Sequence, residues 1–373
     1  MAGNQGGVRE SNAVVVVMAG GQGTRFWPVS RTACPKQFLV VSESGESLIQ
    51  ATVRRVEPLV GKERTWVLSN ENLLPLLAKH VPGIHVVCEP MARNTAACIG
   101  LAAVHCLSRM KGEDPCLVVL PADHAIKDDS KLRDTLAQGI QIAKQKDVLV
   151  TVGVPPTHPH TGYGYIKRGT PIEGTVSKVE RFYEKPSLER ATKYLESGKY
   201  SWNSGMFVWR CTVILEAFQE FLPEMHAGLM AIKALLDAAN GSGELSAESQ
   251  KSIERIFSSF ESVSIDFGVL EHARNCVVVE AEEFGWNDVG SWDQWAENFA
   301  HDSNGNLIKG DAVVIDSNRC VVQSDQRLVA VVGLQDVVII DTGDALLVVG
   351  RESVQDVRKV VEELKRRGRT DVL

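Results

Sequence analysis

The sequence predicts an α/β protein with a mainly parallel sheet, followed by a small β domain and a terminal helix. Three observations carry this. Strand-length apolar runs alternate with amphipathic helical stretches through residues 13–152, the pattern of parallel strands covered by helices. The first run, Val14–Val17, is continuously β-branched, as a strand buried on both faces requires. From about Asn304 the runs become short and are separated by Gly/Asp turns at intervals of roughly ten residues, which suggests a separate, helically wound β unit.

The elements follow in order. After the first strand and its glycine-rich loop, Ser47 can cap an amphipathic helix to about Val60, with Leu48, Val56 and Leu59 on its apolar face. Thr65–Leu68 reads as a strand, Asn72–Lys79 as a helix and His85–Glu89 as a strand. Asn94–Met110 is an Ala-rich helix for which Asn94 is the expected cap. Cys116–Leu120 is an apolar strand ending in PADH. A helix over Lys131–Lys144 and a strand over Val148–Val152 close this part. In such sheets the ligand lies beyond the carboxyl ends of the strands. The glycine loop, Glu89–Thr95 and Pro121–His124 should therefore meet at one crevice.

The middle of the chain joins short strands by Gly, Pro and Asn: GYGY at Gly162–Tyr165, FYEKP at Phe182–Pro186 and WNSGMFV at Trp202–Val208. Aromatic faces beside Asn and Glu suit a sugar, whose C–H faces pack on rings and whose hydroxyls need oriented partners. Trp202 and Phe207 read as core or pocket wall rather than stacking platforms. Asn240–Glu244 reads as a surface loop, ahead of SIDFGVLE (Ser264–Glu271) and GWNDVGSW (Gly285–Trp292). Ala312–Ile315, Leu328–Val332, Val337–Ile340 and Ala345–Val349 are the β-type runs of the last part. Arg351–Arg367 is a charged amphipathic helix, read as a docking element.

The chemistry concentrates in Val14–Phe38, VVVVMAGGQGTRFWPVSRTACPKQF. Glycines without Cβ let backbone amides approach phosphate oxygens closely. Arg25 adds a planar fork and Lys36 a mobile charge. The P-loop pattern GxxxxGK[ST] is absent, and the dinucleotide fingerprint fails where Phe26 takes the third glycine position. The loop reads as a polyphosphate cradle of another kind.

Composition bounds the rest. The chain has 373 residues, 44% of them hydrophobic, and a formal net charge of −7, which argues against a general nucleic-acid binder. No apolar stretch is long enough to cross a bilayer. The polar, Gly-rich 1–12 segment reads as a disordered leader without a signal-peptide core. Eight cysteines without CxxC or CxxH spacing suggest reduced thiols in a cytoplasmic protein and argue against structural zinc.

The ordered set GGQGTRFWPVSRTACPKQF, EPMARNTAACIGLAA, LPADH, GYGYI, EKP, WNSGMFVW, SIDFGVLE and GWNDVGSW resembles the sugar nucleotidyltransferases, in the monofunctional bacterial mannose-1-phosphate guanylyltransferase branch, from Val14 to about Leu364. The resemblance implies a Rossmann-like catalytic domain (13–302) and a C-terminal β-helix-like domain with terminal helix (303–373) used for homodimerisation. Bifunctional relatives carry a further isomerase domain; with the chain ending at Leu373, one activity is expected. The implied substrates are GTP and mannose 1-phosphate, with Mg²⁺ or another divalent cation on Asp123 and Asp288. Arg25 and Lys36 are the implied catalytic cations. Ala19, Gly20, Gly21, Gly23, Thr24, Arg93, Asn94 and Thr95 would hold the nucleotide. Glu89, or carbonyls of its loop, would meet the guanine edge. Gly162, Glu184, Lys185 and Asn203 would hold the sugar phosphate. His124 reads as structural, because an anionic attacking phosphate needs no base. For Asp123 and Asp288 the plainer reading of each is a turn residue.

Two other readings stay open at this level. One is a nucleotidyltransferase for another hexose 1-phosphate or base, differing only at Glu89–Thr95 and the GYGY/WNSGMF region. The other is a silent regulatory subunit that binds a nucleotide sugar, against which stand the intact Arg25, Lys36, Asp123, Lys185 and Asp288.

Overall fold

The computed structural model describes residues 12–21, 23–239 and 245–373. All of the leader 1–12 but Asn12, and the 240–244 loop, lie outside them. The first half contains β1 (Ala13–Met18), α1 (Leu48–Val60), β2 (Thr65–Ser69), α2 (Leu74–His80), β3 (His85–Cys88), α3 (Asn94–Arg109), β4 (Cys116–Pro121), α4 (Asp129–Gln145) and β5 (Leu149–Val154). It continues with β6 (Tyr165–Glu173), β7 (Val176–Tyr183), α5 (Leu188–Ser197), β8 (Tyr200–Arg210), α6 (Cys211–Phe221), α7 (Pro223–Ala239), α8 (Ala247–Ser258), β9 (Cys276–Glu280) and α9 (Trp292–Ala296).

These strands form one sheet in the order β3-β2-β1-β4-β8-β5-β9-β7-β6. β3, β2, β1 and β4 run parallel, and so do β5 and β9. β8 enters antiparallel between β4 and β5, and its first residues also pair with β6. The four valines of β1 follow from burial on both sides. Val14 and Val16 join one core with Trp66, Leu68 and the inner faces of α3, α6 and α7. Val15 and Val17 join a second core with residues of α1 and α4.

Helix caps hold with one correction. Gln50 Oε1 accepts the Ser47 amide at 2.9 Å, half of a capping box on α1. α4 is capped by Asp128, whose Oδ1 accepts from the Ser130 and Lys131 amides, so Asp123 is not the cap of that helix. Asn94 does not cap α3 as expected. It sits at φ 63°, and its Oδ1 accepts from the adjacent Thr95 amide. The Ala96 amide donates instead to the Val263 carbonyl, 3.2 Å away, so a tertiary contact supplies what a local cap would.

The last part holds β10 (Leu307–Lys309), β11 (Ala312–Ile315), β12 (Val321–Ser324), β13 (Val329–Val332), β14 (Val337–Asp341), β15 (Leu346–Gly350) and α10 (Val357–Arg366). Alternate strands stack in parallel, β10 on β12 on β14 and β11 on β13, which is helical winding; β15 turns back antiparallel on β14. A third core joins this unit to the large sheet domain, with Phe26, Trp27 and Trp292 packed among Val321, Val338, Leu347, Val357 and Val361. The docking reading of the terminal helix therefore holds within the chain itself. Trp27 Nε1 donates to the Val372 carbonyl at 2.8 Å.

Candidate active site

The carboxyl ends of β1, β3 and β4 open on a cavity of about 560 Å³. Gly20, Gly21 and Arg25 come from the glycine loop, Glu89, Arg93, Asn94 and Thr95 from beyond β3, and Asp123 from beyond β4. The far wall supplies Gly162, Glu184, Lys185, Asn203 and Asp288. The topology thus gathers segments from Met18 to Asp288. Ala19, Gly23, Thr24 and Lys36 do not line it. The Ala19 amide donates to Leu68 O, and its carbonyl accepts from Gln37 Nε2 and Ser69 Oγ, each at 3.0 Å. Thr24 lies instead beside Trp27, Val361 and Leu373 at the terminal helix.

Lys36 forms the hub beneath the cavity. It is 7% exposed, and its Nζ donates to Asp123 Oδ2 at 2.8 Å and to the Asp288 carbonyl at 2.6 Å. One ammonium therefore holds two distant carboxylate segments together. Gly23 explains how Lys36 fits: its φ is +60°, and a Cβ there would lie 2.3 Å from Lys36 Cβ. Burial alone would raise the Asp123 carboxyl, but the Lys36 ammonium, by charge and hydrogen bond, holds it below the usual carboxylate range. His124 accepts from Trp286 Nε1 at 3.1 Å, and burial keeps its imidazole toward the neutral form. Arg25 Nη1 donates to Gly290 O at 3.0 Å and to Gln355 Oε1 at 3.1 Å.

Asp288 is presented by unusual backbone. The next residue, Val289, is fully buried at φ +46°, a region that costs a β-branched residue about 1–3 kcal/mol. Its amide donates to Asn287 Oδ1 at 2.7 Å. The Asp288 Oδ1 accepts from Tyr163 Oη at 2.8 Å and Gln294 Nε2 at 2.9 Å. Burial and that carboxylate raise the Tyr163 phenol, which stays protonated.

At the end of the cavity beyond β3, burial pushes Glu89 up to about 7, against the opposing hydrogen bond with Cys98. Arg93 Nη2 donates to Ser258 O, and Thr95 Oγ1 accepts from the Ile265 amide at 2.8 Å. At the other end Glu184 and Lys185 pair at 3.0 Å and are largely exposed, so the pair itself adds little stability. Asn203 Nδ2 donates to Asp266 Oδ1 at 2.7 Å. Burial raises Asp266 to about 6, partly opposed by that bond. Phe207 lines the cavity, while Trp202 packs edge-on to Tyr163 behind it.

Sequence reasoning passed over Tyr163, Asp266, Trp286 and Gln294. Asp266 had a signal, an acidic residue inside the apolar SIDFGVLE run, here wound as a π-helix over Asp266–Leu270, a form common at functional sites. Among the described residues no cluster of three or more metal-ligating side chains occurs, and no helix is long and apolar enough to cross a membrane.

A glycine loop at a strand end, a buried lysine and two aspartates across one crevice define a nucleotidyltransferase-type site. The nucleotidyl transferase family model matches residues 14–305, and the MannoseP isomerase/GMP-like beta-helix domain matches 310–364. The chain is 40% identical to the mannose-1-phosphate guanylyltransferase of Escherichia coli, covering 95% of this chain and 74% of that one. It is 39% identical to the xanthan biosynthesis protein XanB of Xanthomonas campestris pv. campestris, covering 97% and 75%. A crystal structure from Thermus thermophilus, described as a mannose-1-phosphate geranyltransferase, superposes with a TM-score of 0.84 at 36% identity, covering 95% and 99%. The chain belongs to the nucleotidyl transferase family, in its mannose-1-phosphate guanylyltransferase branch.

Proposed function

We propose that the chain transfers GMP from GTP to α-D-mannose 1-phosphate, giving GDP-mannose and pyrophosphate. A phosphate oxygen of the sugar phosphate forms a bond to the α-phosphorus. The bond from that phosphorus to the bridging oxygen breaks in line, and its electron pair leaves with pyrophosphate. No protein base is needed, so the work is positioning and charge neutralisation. Gly20, Gly21 and Arg25 hold the triphosphate. Lys36, beneath the cavity, adds positive charge toward the α-phosphate through the Asp123–Asp288 pair it joins. Glu89 takes the guanine N1–H and N2–H₂ edge, with Arg93, Asn94 and Thr95 along the nucleoside. Lys185 meets the sugar phosphate, and Glu184, Asn203 and Gly162 the ring.

The observation that carries this reading is Lys36 joining the Asp123 side chain to the Asp288 backbone beneath the glycine loop. Two carboxylates without a third ligand fit Mg²⁺, which takes a few carboxylates and completes its shell with water and phosphate oxygens. Asp123 and Asp288 would hold it, and it would supply charge stabilisation to the phosphates.

Exposed apolar residues on the outer face of β11 and β13, Val313, Ile315 and Val332, favour a homodimer through the C-terminal domain. The absence of any disulfide among the described cysteines is consistent with a cytoplasmic setting. The family matches, ending at 305 and resuming at 310, favour a domain division near 302/303.

Asp123→Ala tests the site. It should abolish divalent-dependent pyrophosphate release in protein that still folds, with a lowered melting temperature because buried Lys36 loses its carboxylate partner. Near-wild-type turnover would remove Asp123 from the metal site.

A further inference from the structure

We propose that Tyr163 and Gln294 are positioning residues that clamp Asp288 for the divalent ion and tie it to the sugar-side glycine turn. Binding of mannose 1-phosphate then changes the affinity for the metal. The inference rests on the reading of Asp288 as a metal ligand.

The clamp is a closed ring. Tyr163 Oη donates to Asp288 Oδ1 at 2.8 Å, and Gln294 Nε2 donates to the same oxygen at 2.9 Å and to Tyr163 Oη at 2.6 Å. Gln294 Oε1 accepts the Gly290 amide at 2.8 Å. One glutamine therefore grips both the side chain of Asp288 and the backbone two residues on, across the left-handed Val289. Both side-chain bonds end on Oδ1, and neither engages Oδ2. Carboxylates that ligate metals are commonly fixed in this way by groups behind them.

The link to the sugar side runs through Tyr163. It stands between Gly162 and Gly164, and the Gly164 carbonyl accepts from the Asn203 amide at 2.8 Å. Its ring is stacked on His160 at 3.7 Å and meets Trp202 and Trp286 edge-on near 5 Å. A ligand that bears on Gly162–Gly164 therefore bears on the phenol, and through it on Asp288. Coupling between two bound ligands must be reciprocal.

The test is Mn²⁺ binding, read by electron paramagnetic resonance, with a non-cleavable α,β-methylene analogue of GTP and with or without mannose 1-phosphate. Wild-type protein should bind Mn²⁺ several-fold more tightly when the sugar phosphate is present. Tyr163→Phe keeps the ring and removes only the hydroxyl; it should weaken Mn²⁺ by about tenfold and abolish the sugar-phosphate effect. Gln294→Leu should weaken Mn²⁺ by a similar factor but keep the effect, because Gln294 is not on the sugar-side turn. Wild-type Mn²⁺ affinity in Tyr163→Phe, or a sugar-phosphate effect intact in it, overturns the proposal, as does no effect in the wild type. Asp288→Asn separates the two levels. If it binds Mn²⁺ like the wild type, the ligand reading has failed and the clamp with it. If it loses Mn²⁺ while Tyr163→Phe is normal, only the clamp has failed.

Discussion

If Glu89 meets the guanine edge as proposed, its charge state bears directly on base recognition. The residue is 8% exposed beside Gly20, and its carboxyl is pushed to about 7 by burial. Only the ionised carboxylate accepts both guanine edge donors, so affinity for the guanine nucleotide should rise as pH rises through 7. GDP-mannose is the suitable ligand, because its diphosphate does not titrate there. Its affinity should increase by up to about tenfold between pH 6 and 8, and Glu89→Gln should flatten the profile in calorimetric titrations. The fold responds with the opposite sign. An acid raised in the folded state binds its proton more tightly there, so its contribution to stability falls between the unfolded value and about pH 7. Lys185 gives the complementary prediction. Lys185→Ala should raise KM for mannose 1-phosphate by roughly ten- to a hundredfold, one charge-assisted bond of about 1.5–3 kcal/mol. An equal rise in KM for GTP would move Lys185 out of the sugar site.

Among the elements, the β1 strand and its loop were the most legible in sequence, because each residue type has a local cause. Four β-branched residues suit a strand buried on both faces, and a glycine cluster at its end marks a turn where backbone comes close to another group. Gly21 and Gly23 separate by experiment. Nothing lies within 4 Å of a Cβ added at Gly21, so Gly21→Ala should keep the melting temperature and raise KM for GTP. At Gly23 the added Cβ would collide with Lys36 in a left-handed backbone; Gly23→Ala should lose about 1–3 kcal/mol of stability by denaturant titration. What sequence could not carry were the non-local partners. β8 enters the sheet antiparallel between β4 and β5, and no local pattern announces a strand's neighbours. Arg25 meets Gln355 across 330 positions, and Tyr163 meets Asp288 across 125. Asn94 looks like a cap by residue type, yet Val263, from the connection after α8, takes the amide it was expected to serve.

At the scale of the molecule, the third core makes the two parts of the chain interdependent. Phe26 and Trp27, next to Arg25, share it with Leu347, Val357 and Val361 of the β-helix and terminal helix. Leu347→Ala should therefore cost about 2–5 kcal/mol and shift one cooperative calorimetric transition; two separated transitions would show the parts folding independently. The exposed face of β11 and β13 makes a prediction about assembly. Ile315→Lys with Val332→Lys should convert a dimer to a monomer by sedimentation while turnover persists, and an unchanged assembly would place the interface elsewhere. The central claim is GMP transfer to a mannose phosphate, and pyrophosphate release with Mg²⁺ tests it most directly, crossing the four nucleoside triphosphates with mannose 1-phosphate, glucose 1-phosphate and N-acetylglucosamine 1-phosphate. The site predicts clear preference for GTP with mannose 1-phosphate. Turnover only with another pair would contradict the base and sugar assignments, and no turnover with any pair from folded protein would contradict the activity itself.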